Sequence, residues 1–204
     1  MEQAYTLLKN LPYLNKSTLG EVLGKSGKNL DYWVQKLIKE VEIVVLKKGL
    51  YASKTYLLSL EKNASLRESY LEYLANIIRY PSYVSLEYAL SKYGIIPEGV
   101  YSLTSVTLKS SRVFKNSIGN FIYRSIKKEL FSNFENKDFD GKRIKMATKE
   151  KALFDYLYFK KESLLEDLRI NWDVFTPDEK VRFARIVKSS GSSKMERILK
   201  TLKW

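Results

Sequence analysis

One stretch near the N-terminus constrains the fold most, because two short helical patterns and a hairpin pattern follow one another with tight turns between them. Thr18 and Glu21 have the spacing of a capping box and predict a helix start. Residues 24 to 27, "GKSG", supply the small and polar residues of a turn. Residues 42 to 53, "EIVVLKKGLYAS", then give two β-rich runs around Gly49, which can take the positive φ of a tight hairpin turn.

The second helical pattern, over residues 28 to 42, has two different faces. Apolar residues recur at helical spacing on one face, namely Leu30, Val34, Leu37, Ile38 and Val41. The opposite face is polar and carries Lys28, Asn29, Tyr32, Gln35, Lys36 and Lys39. A helix, a glycine turn, a two-faced helix and a basic hairpin are the parts of a winged helix-turn-helix, in which the second helix enters the DNA major groove.

The sequence therefore predicts a winged helix-turn-helix DNA-binding domain over residues 1 to 60. Its expected DNA contacts combine the turn, the polar helix face and the hairpin, which is expected to touch the phosphate backbone only. They are Lys25, Ser26, Lys28, Asn29, Tyr32, Gln35, Lys36, Lys39, Lys47 and Lys48. A winged helix that contacts a protein partner instead is the alternative.

The same turn also imitates a nucleotide-binding loop, since Gly24, Lys25 and Ser26 reproduce the end of a P-loop. A P-loop needs four residues between its first Gly and the Gly-Lys pair, and it follows a buried strand. Here Gly20 is one residue too close, and Leu19 occupies the position that requires Gly. We interpret the stretch as a turn before a recognition helix.

Composition limits the chemistry that the chain can carry. Lys and Arg number 36 against 23 acidic residues, a net charge of +13, which favours a polyanion such as nucleic acid or an anionic membrane surface. The chain has neither His nor Cys, so His-based catalysis and zinc sites of the common types are excluded. No apolar run approaches the ~20 residues of a membrane span, and no signal-peptide pattern opens the chain. We expect a cytoplasmic protein with no cofactor, no metal and no membrane partner.

Residues 61 to 204 mix helical and strand patterns and predict an α+β domain. A helical pattern runs from 56 to 80, and Ser85 has the position of a cap for the next short helix. Strand-like alternation follows from Val100 to Leu108 and again in "GNFIYRSI" and "GKRIKMA". Thr148 is expected to cap a further helix, and residues 176 to 179, "TPDE", form a strong helix start.

This second domain is also basic, since residues 101 to 151 hold 12 basic and 5 acidic side chains. We expect a second basic surface made of Lys109, Arg112, Lys115, Arg124, Lys127, Lys128, Lys142, Arg143 and Lys145. The last helical segments carry Arg182, Arg185, Lys188, Lys194, Arg197 and Lys200, which suit either phosphate contact or solubility. A solvated charged face is the simpler alternative for both sets.

Three long tracts resemble a known family. They are "YPSYVSLEYALSKYGIIPEGVYSLTSVTLKSSRVF", "GNFIYRSIKKELF" and "IKMATKEKALFDYLY". Together with the preceding winged-helix pattern, over about residues 1 to 160, they are similar to the AbiEi antitoxins of abortive-infection, type IV toxin-antitoxin systems. The resemblance implies a repressor that binds double-stranded DNA at its own promoter. It also implies an antitoxin that counters a nucleotidyltransferase-like toxin without forming a stable complex with it.

An enzymatic alternative is a metal-dependent nucleotidyltransferase. Asp138 and Asp140 form an alternating acidic pair that suits Mg²⁺, and residues 191 to 193, "GSS", imitate the Gly-Ser turn of those enzymes. In nucleotidyltransferases, however, the Gly-Ser turn precedes the acidic pair, whereas here it follows. We therefore expect no catalytic residues.

Overall fold

A computed structural model describes residues 6, 8, 10 to 40, 42 to 160 and 168 to 202. The helices are α1 (Lys16–Leu23), α2 (Gly27–Lys39), α3 (Lys54–Ser59), α4 (Ala64–Ile78), α5 (Leu86–Lys92), α6 (Lys149–Phe159), α7 (Pro177–Ser189) and α8 (Ser193–Leu202). The strands are β1 (Leu14–Asn15), β2 (Ile43–Lys47), β3 (Leu50–Ser53), β4 (Ser82–Val84), β5 (Leu103–Thr107), β6 (Arg112–Lys115), β7 (Asn120–Ser125), β8 (Phe134–Phe139) and β9 (Lys142–Ala147). The fold is therefore α+β, as the sequence predicted.

The N-terminal unit, from β1 to β3, is a small antiparallel sheet with two helices. Its strands lie in the order β1-β3-β2, and β2 joins β3 through a two-residue turn at Lys48 and Gly49. The apolar face of α2 buries Leu30, Val34 and Leu37 in a separate hydrophobic cluster. The predicted stripe is thus confirmed at these three positions, while Val41 lies outside the described residues.

The second unit is built on a six-stranded mixed sheet in the order β6-β7-β5-β4-β9-β8. One face packs against α4, through buried residues such as Tyr70, Leu74 and Ile78. The other face packs against α5 to α8, with Phe154 and Phe183 at the centre of that cluster. Helices therefore cover both faces of the sheet, and β6 and β8 form its two edges.

Two predicted helix caps are confirmed in the second unit. The Thr148 hydroxyl accepts a hydrogen bond from the Lys151 N–H at the start of α6. At the start of α7, Thr176 and Glu179 form a reciprocal capping box, with Pro177 in the first helical position. Each cap satisfies backbone N–H groups that have no partner within the helix.

Of two other predicted caps, the one at Thr18 is wrong, and the one at Ser85 is confirmed in position but makes no side-chain cap hydrogen bond. Helix α1 begins at Lys16, and the Asn15 side chain, rather than Thr18, caps it by accepting the Thr18 N–H at 2.9 Å. Asn is at least as good an N-cap residue as Thr, so the earlier site prevails. Ser85 does precede α5, but its hydroxyl donates to buried Asp155 at 2.8 Å and makes no cap hydrogen bond.

The helical pattern predicted from 56 to 80 is divided into α3 and α4. The break lies at residues 60 to 63, where the Asn63 side chain accepts the Leu66 N–H and starts α4. Leu66 is on the exposed first turn, whereas Tyr70, Leu74 and Ile78 are buried. A cap inside an otherwise periodic pattern is what divides the segment.

A buried polar network joins α6 to the sheet. Lys151 and Asp155 form an ion pair at 2.8 Å, and both side chains are at most 1% exposed. Asp155 also accepts hydrogen bonds from the hydroxyls of Tyr83 and Ser85 at 2.9 and 2.8 Å. The Lys151 ammonium donates in addition to the Leu130 carbonyl at 2.7 Å. These contacts are the condition under which a buried charge pair is tolerated.

Candidate nucleic-acid interface

The turn between α1 and α2 brings the two helices into close contact. Gly24 ends α1 in the left-handed conformation, with φ of 61°, which glycine adopts without steric cost. A Cβ on Gly20 would lie 3.0 Å from the Lys25 carbonyl oxygen and 3.2 Å from Leu30. Glycine at position 20 therefore allows α2 to pack directly against α1.

The same geometry accounts for the P-loop imitation. The Gly24 N–H donates to the Glu21 carbonyl, and the Lys25 N–H donates to the Gly20 carbonyl at 3.0 Å. Both amides therefore bond to α1 and do not surround a phosphate. Helix α1, rather than a buried strand, precedes the stretch. Residues 24 to 26 are thus the end of α1 and a turn, as the motif spacing indicated.

The outer face of α2 carries the predicted contacts. Lys28, Asn29, Tyr32, Gln35 and Lys39 are all exposed, and Tyr32 is 65% exposed despite its large aromatic ring. The predicted contacts in the turn lie at the same end of the helix. Lys25 is half-buried, while Ser26 is exposed and its hydroxyl makes no cap hydrogen bond to α2.

Lys36 and the two aromatic residues of α2 form a small group at the edge of this face. The Lys36 ammonium lies 4.8 Å from the centre of the Trp33 ring and 3.8 Å from the Glu40 carboxylate. Tyr32 contacts Trp33 edge to face, with ring centres 6.2 Å apart. Trp33 is half-buried, so it supports the positions of Tyr32 and Lys36 more than it extends the exposed face.

The two hairpin lysines have different surroundings. Lys48 is exposed in the turn beside Gly49, which has φ of 78°. Lys47 is half-buried at the end of β2, and its ammonium donates to the Ile78 carbonyl at 2.5 Å. The backbone-only role predicted for both lysines therefore suits Lys48, whereas Lys47 anchors the hairpin to the end of α4.

A second hydrogen bond fixes the hairpin to the other unit. The Asn116 side chain, in the turn between β6 and β7, donates to the Leu46 carbonyl of β2 at 3.1 Å. Together with the contact of Lys47 to α4, it holds the N-terminal hairpin beside the edge of the six-stranded sheet. These two hydrogen bonds add to the apolar packing of Leu46, Leu50 and Ala52 of the hairpin against the second unit.

Four cations meet at this junction: Lys47, Arg79, Lys109 and Arg112. Burial lowers the pKa of Lys47, and the positive charges of Lys109, Arg79 and Arg112 lower it further. Arg79 donates to the Ser110 carbonyl and hydroxyl, while its Nε is buried without a hydrogen-bond partner among the described residues. Clustered cations repel one another, so this junction cluster favours a bound anion.

Sequence reasoning placed Lys109 and Arg112 in the second basic surface, apart from the hairpin, and missed Arg79. Arg79 ends a helical pattern, where a cation is common because it complements the helix dipole. Nothing local to the sequence distinguishes it from other surface cations. Its role depends on the long-range packing of α4 against the hairpin.

The other members of the predicted second basic surface are divided between two parts of the sheet. Lys115 and Arg124 lie on β6 and β7, and Lys127 and Lys128 follow β7. Lys142, Arg143 and Lys145 lie on β9, which is three strands from β7 in the sheet. Neighbouring strands are about 4.8 Å apart, so the two groups are separated by roughly 14 Å.

Two of the three cations of the β9 group, Lys142 and Lys145, already have partners. The Lys142 ammonium pairs with the Asp140 carboxylate at 3.0 Å, and the Lys145 ammonium lies over the rings of Tyr80 and Phe134. These contacts leave the ammonium groups of both lysines less available to bind a phosphate. The charges near the hairpin are therefore the more available part of the predicted surface.

The residues of the enzymatic alternative lie in two turns. Asp140 and Gly141 form the tip of the hairpin between β8 and β9, and the Asp138 carboxylate accepts the Gly141 N–H. Residues 190 to 192 separate α7 from α8, and Ser193 is the first residue of α8. In the part of the chain that the structure describes, no three acidic side chains come together in a way that suits a metal ion.

Comparison with known proteins identifies no relative from which a function could be inferred. No protein-family model matches the chain, and no curated protein matches it either. Among the described helices, none combines the length and the apolar character needed to cross a lipid bilayer.

Proposed function

We propose that the protein binds double-stranded DNA through α2, with the turn of the β2–β3 hairpin on the phosphate backbone. The observation that carries this proposal is the exposed face of α2. It presents amine, amide and hydroxyl groups outward while Leu30, Val34 and Leu37 hold the opposite face in the core. Side chains of these types pair with base edges in the major groove.

The order of elements supports a winged helix-turn-helix. A short strand, two helices joined by a tight turn and a two-stranded hairpin follow one another along the chain, and the three strands pair in one sheet. In that fold the second helix reads the groove and the hairpin flanks it. We assign these roles to α2 and to the hairpin turn at Lys48.

The junction cluster supports phosphate contact beside the hairpin. Arg79, Lys109 and Arg112 lie close enough to act on the charge of Lys47, and they add to a net charge of +13. Each phosphate that such cations neutralise releases bound counterions. We therefore expect the DNA affinity to depend steeply on salt.

We further propose that the DNA is the promoter of the protein's own operon and that the protein is the antitoxin of a type IV toxin-antitoxin system. This part rests on the resemblance to AbiEi antitoxins in the tracts that form β4 to β6, β7 and α6. The toxin would be nucleotidyltransferase-like and would be opposed without a stable complex. A cytoplasmic location suits both activities.

The test is a titration of the full-length protein with a labelled fragment of its promoter and with random DNA of the same length. We expect tighter binding to the promoter. A fourfold rise in salt should weaken the affinity about tenfold or more if several phosphates are contacted. Equal affinity for both fragments, or affinity that does not change with salt, would contradict the proposal.

A protein partner for the α2 face is the second candidate, and the exposure of Tyr32 favours it. An exposed Tyr beside a Trp is typical of residues that contribute strongly to protein interfaces. A pull-down that survives nuclease treatment and is lost in Tyr32→Ala would favour this candidate. Loss of the captured material on nuclease treatment would favour DNA.

A further inference from the structure

A cleft of about 400 Å³ lies between β8, the start of α6 and the outer side of α7, away from the α2 face and the junction cluster. Four charged side chains, a hydroxyl and one aliphatic side chain contribute to its lining: Glu135, Thr148, Glu150, Arg182, Arg185 and Ile186. Its volume is in the range of small-molecule sites, although its lining is more polar than most. Aromatic rings are missing from the described lining, so the cleft lacks a platform for stacking a nucleobase.

Arg182 is held in position from one side. Its Nε donates to the carboxylate of Glu150, and the Glu150 side chain is only 4% exposed. The Arg182 side chain is 53% exposed, and its two terminal nitrogens donate to no described residue. A guanidinium that is fixed through Nε keeps its terminal pair of N–H groups for a carboxylate or a phosphate.

Arg185 adds a second cation three residues later on α7. Residues three apart are neighbours on a helix surface, and both arginines line the cleft. Arg185 is exposed and makes no ion pair with any residue that the structure describes. Since Arg182 already balances Glu150, the positive charge of Arg185 is the unmatched one.

Glu135 supplies a negative charge from β8, where Lys137 on the same strand lies near enough to interact with it. It is exposed, lines the same cleft, and has no ion pair or hydrogen bond from its side chain within the described ranges. The cleft thus combines a pair of guanidinium groups with a separate exposed carboxylate, and Lys137 is not part of the described lining. A ligand that matches both must carry an anion and an amine.

We propose that this cleft binds a small zwitterionic metabolite. Its phosphate or carboxylate group lies on Arg182 and Arg185, and its amine lies on Glu135. The arginines recognise either anion, because the fork of N–H groups fits both. The site is independent of DNA binding, so promoter affinity should be the same in all of the cleft variants.

The test is calorimetric titration of the full-length protein at low ionic strength with two pairs of probes. Glucosamine 6-phosphate and glucose 6-phosphate form the phosphate pair, and γ-aminobutyrate and butyrate form the carboxylate pair. We expect the amine-bearing member of at least one pair to bind saturably and about tenfold more tightly than its amine-free analogue. The pair that shows this difference identifies the anion.

Three variants make the test specific. Arg185→Ala should weaken the amine-bearing probe about tenfold, whereas Lys188→Ala, which removes the same charge from the same helix outside the cleft lining, should leave affinity unchanged. Glu135→Gln should remove the preference for the amine and leave the analogue's affinity unchanged. Absence of saturable binding by all four probes, or equal losses in Arg185→Ala and Lys188→Ala, would overturn the proposal.

Discussion

The N-terminal unit and the second unit use charged side chains in opposite ways. In the second unit, three cations are paired with carboxylates that are largely or fully buried: Lys151 with Asp155, Lys149 with Glu179, and Lys92 with Glu72. On the outer face of α2, Lys28 and Lys39 are exposed and have no ion-pair partner among the described residues. The difference teaches that the number of basic residues does not by itself mark an interface, because exposed cations without an ion-pair partner in the described ranges, such as Arg185, occur in the second unit as well.

The junction cluster is where this contrast breaks down. Arg79, Lys109 and Arg112 belong to the second unit, yet they surround a lysine of the N-terminal hairpin and gather charge of one sign. This part of the second unit therefore resembles the N-terminal unit in its electrostatics. We assign it to the same DNA-binding surface for that reason.

The largest expected effect is on the stability of the second unit. Lys151→Met leaves the Asp155 carboxylate buried without its cation, and removing one partner of such a pair costs about 3 to 5 kcal/mol. Urea unfolding measures the change. The double variant Lys151→Met with Asp155→Leu should recover most of the loss, because replacing both partners by apolar residues is often near neutral. A loss below about 1 kcal/mol in the single variant would mean that the pair is not buried as described.

The matching change in the N-terminal unit should affect function rather than stability. Changing Lys28, Tyr32 and Lys36 to Ala together should abolish promoter binding, since a lost base contact costs about 1 to 3 kcal/mol. Exposed substitutions rarely change the free energy of unfolding by more than about 0.5 kcal/mol each. A promoter reporter and growth rescue from the cognate toxin measure the two activities.

This triple variant also tests whether repression and antitoxicity lie on different surfaces. We expect it to lose repression and still rescue growth. Reversing the charges of Arg124, Lys127 and Lys128 should impair rescue more than repression, with circular dichroism to confirm that each variant folds. Parallel loss of both activities in every folded variant would assign antitoxicity to DNA binding itself.

A smaller effect compares helix caps. Asn15→Ala should cost about 1 kcal/mol, because its side chain caps α1, and Thr176→Ala should cost about the same at α7. Thr18→Ala should cost less than either, since its hydroxyl is not a cap. Urea unfolding of the three variants tests the order. If Thr18→Ala lowered the free energy of unfolding as much as Asn15→Ala, the capping box predicted from the sequence would be supported after all.

The smallest expected effect is a pH dependence from Glu179. Burial by itself raises its pKa, but hydrogen bonds from the Thr176 N–H and from Lys149 outweigh burial, and the net pKa is lowered. A carboxylate with a lowered folded-state pKa stabilises the protein above its unfolded pKa of about 4.3. That stabilisation is lost as the pH falls through the folded pKa.

Unfolding measured at several pH values below about 5 tests this prediction. Glu179→Gln should lose less stability on acidification than the unchanged protein. Glu196→Gln, at an exposed position on α8, is the matched control and should follow the unchanged protein. If both variants lose as much stability on acidification as the unchanged protein, Glu179 does not contribute the expected pH dependence.

Some features set by neighbouring residues could be predicted from the sequence, although the local caps at Asn15 and Asn63 were missed, and features set by long-range packing could not. The caps at Thr148 and Thr176 depend only on residues within one turn, and both are confirmed. Ser85 has the same local pattern, but its hydroxyl donates a hydrogen bond to Asp155, 70 positions away, and does not cap the helix. Local pattern predicts a cap only where no tertiary partner competes for the side chain.

The candidate site divides in the same way. The two faces of α2 follow from helical periodicity alone, and the hairpin turn follows from Gly49. The packing of the two units, in contrast, determines that Lys47 donates to the Ile78 carbonyl and that Arg112 lies near Lys47. The junction cluster therefore required the structure.

The most direct test of the central claim is the ratio of promoter affinity to random-DNA affinity in three forms of the protein. Tyr32→Ala with Lys36→Ala should bring the ratio close to one, because α2 reads the bases. Lys48→Ala should weaken both affinities alike and preserve the ratio, because a phosphate contact carries no sequence information. An unchanged ratio in the folded α2 variant, or a ratio that falls only in Lys48→Ala, would contradict the assignment of α2 as the recognition helix.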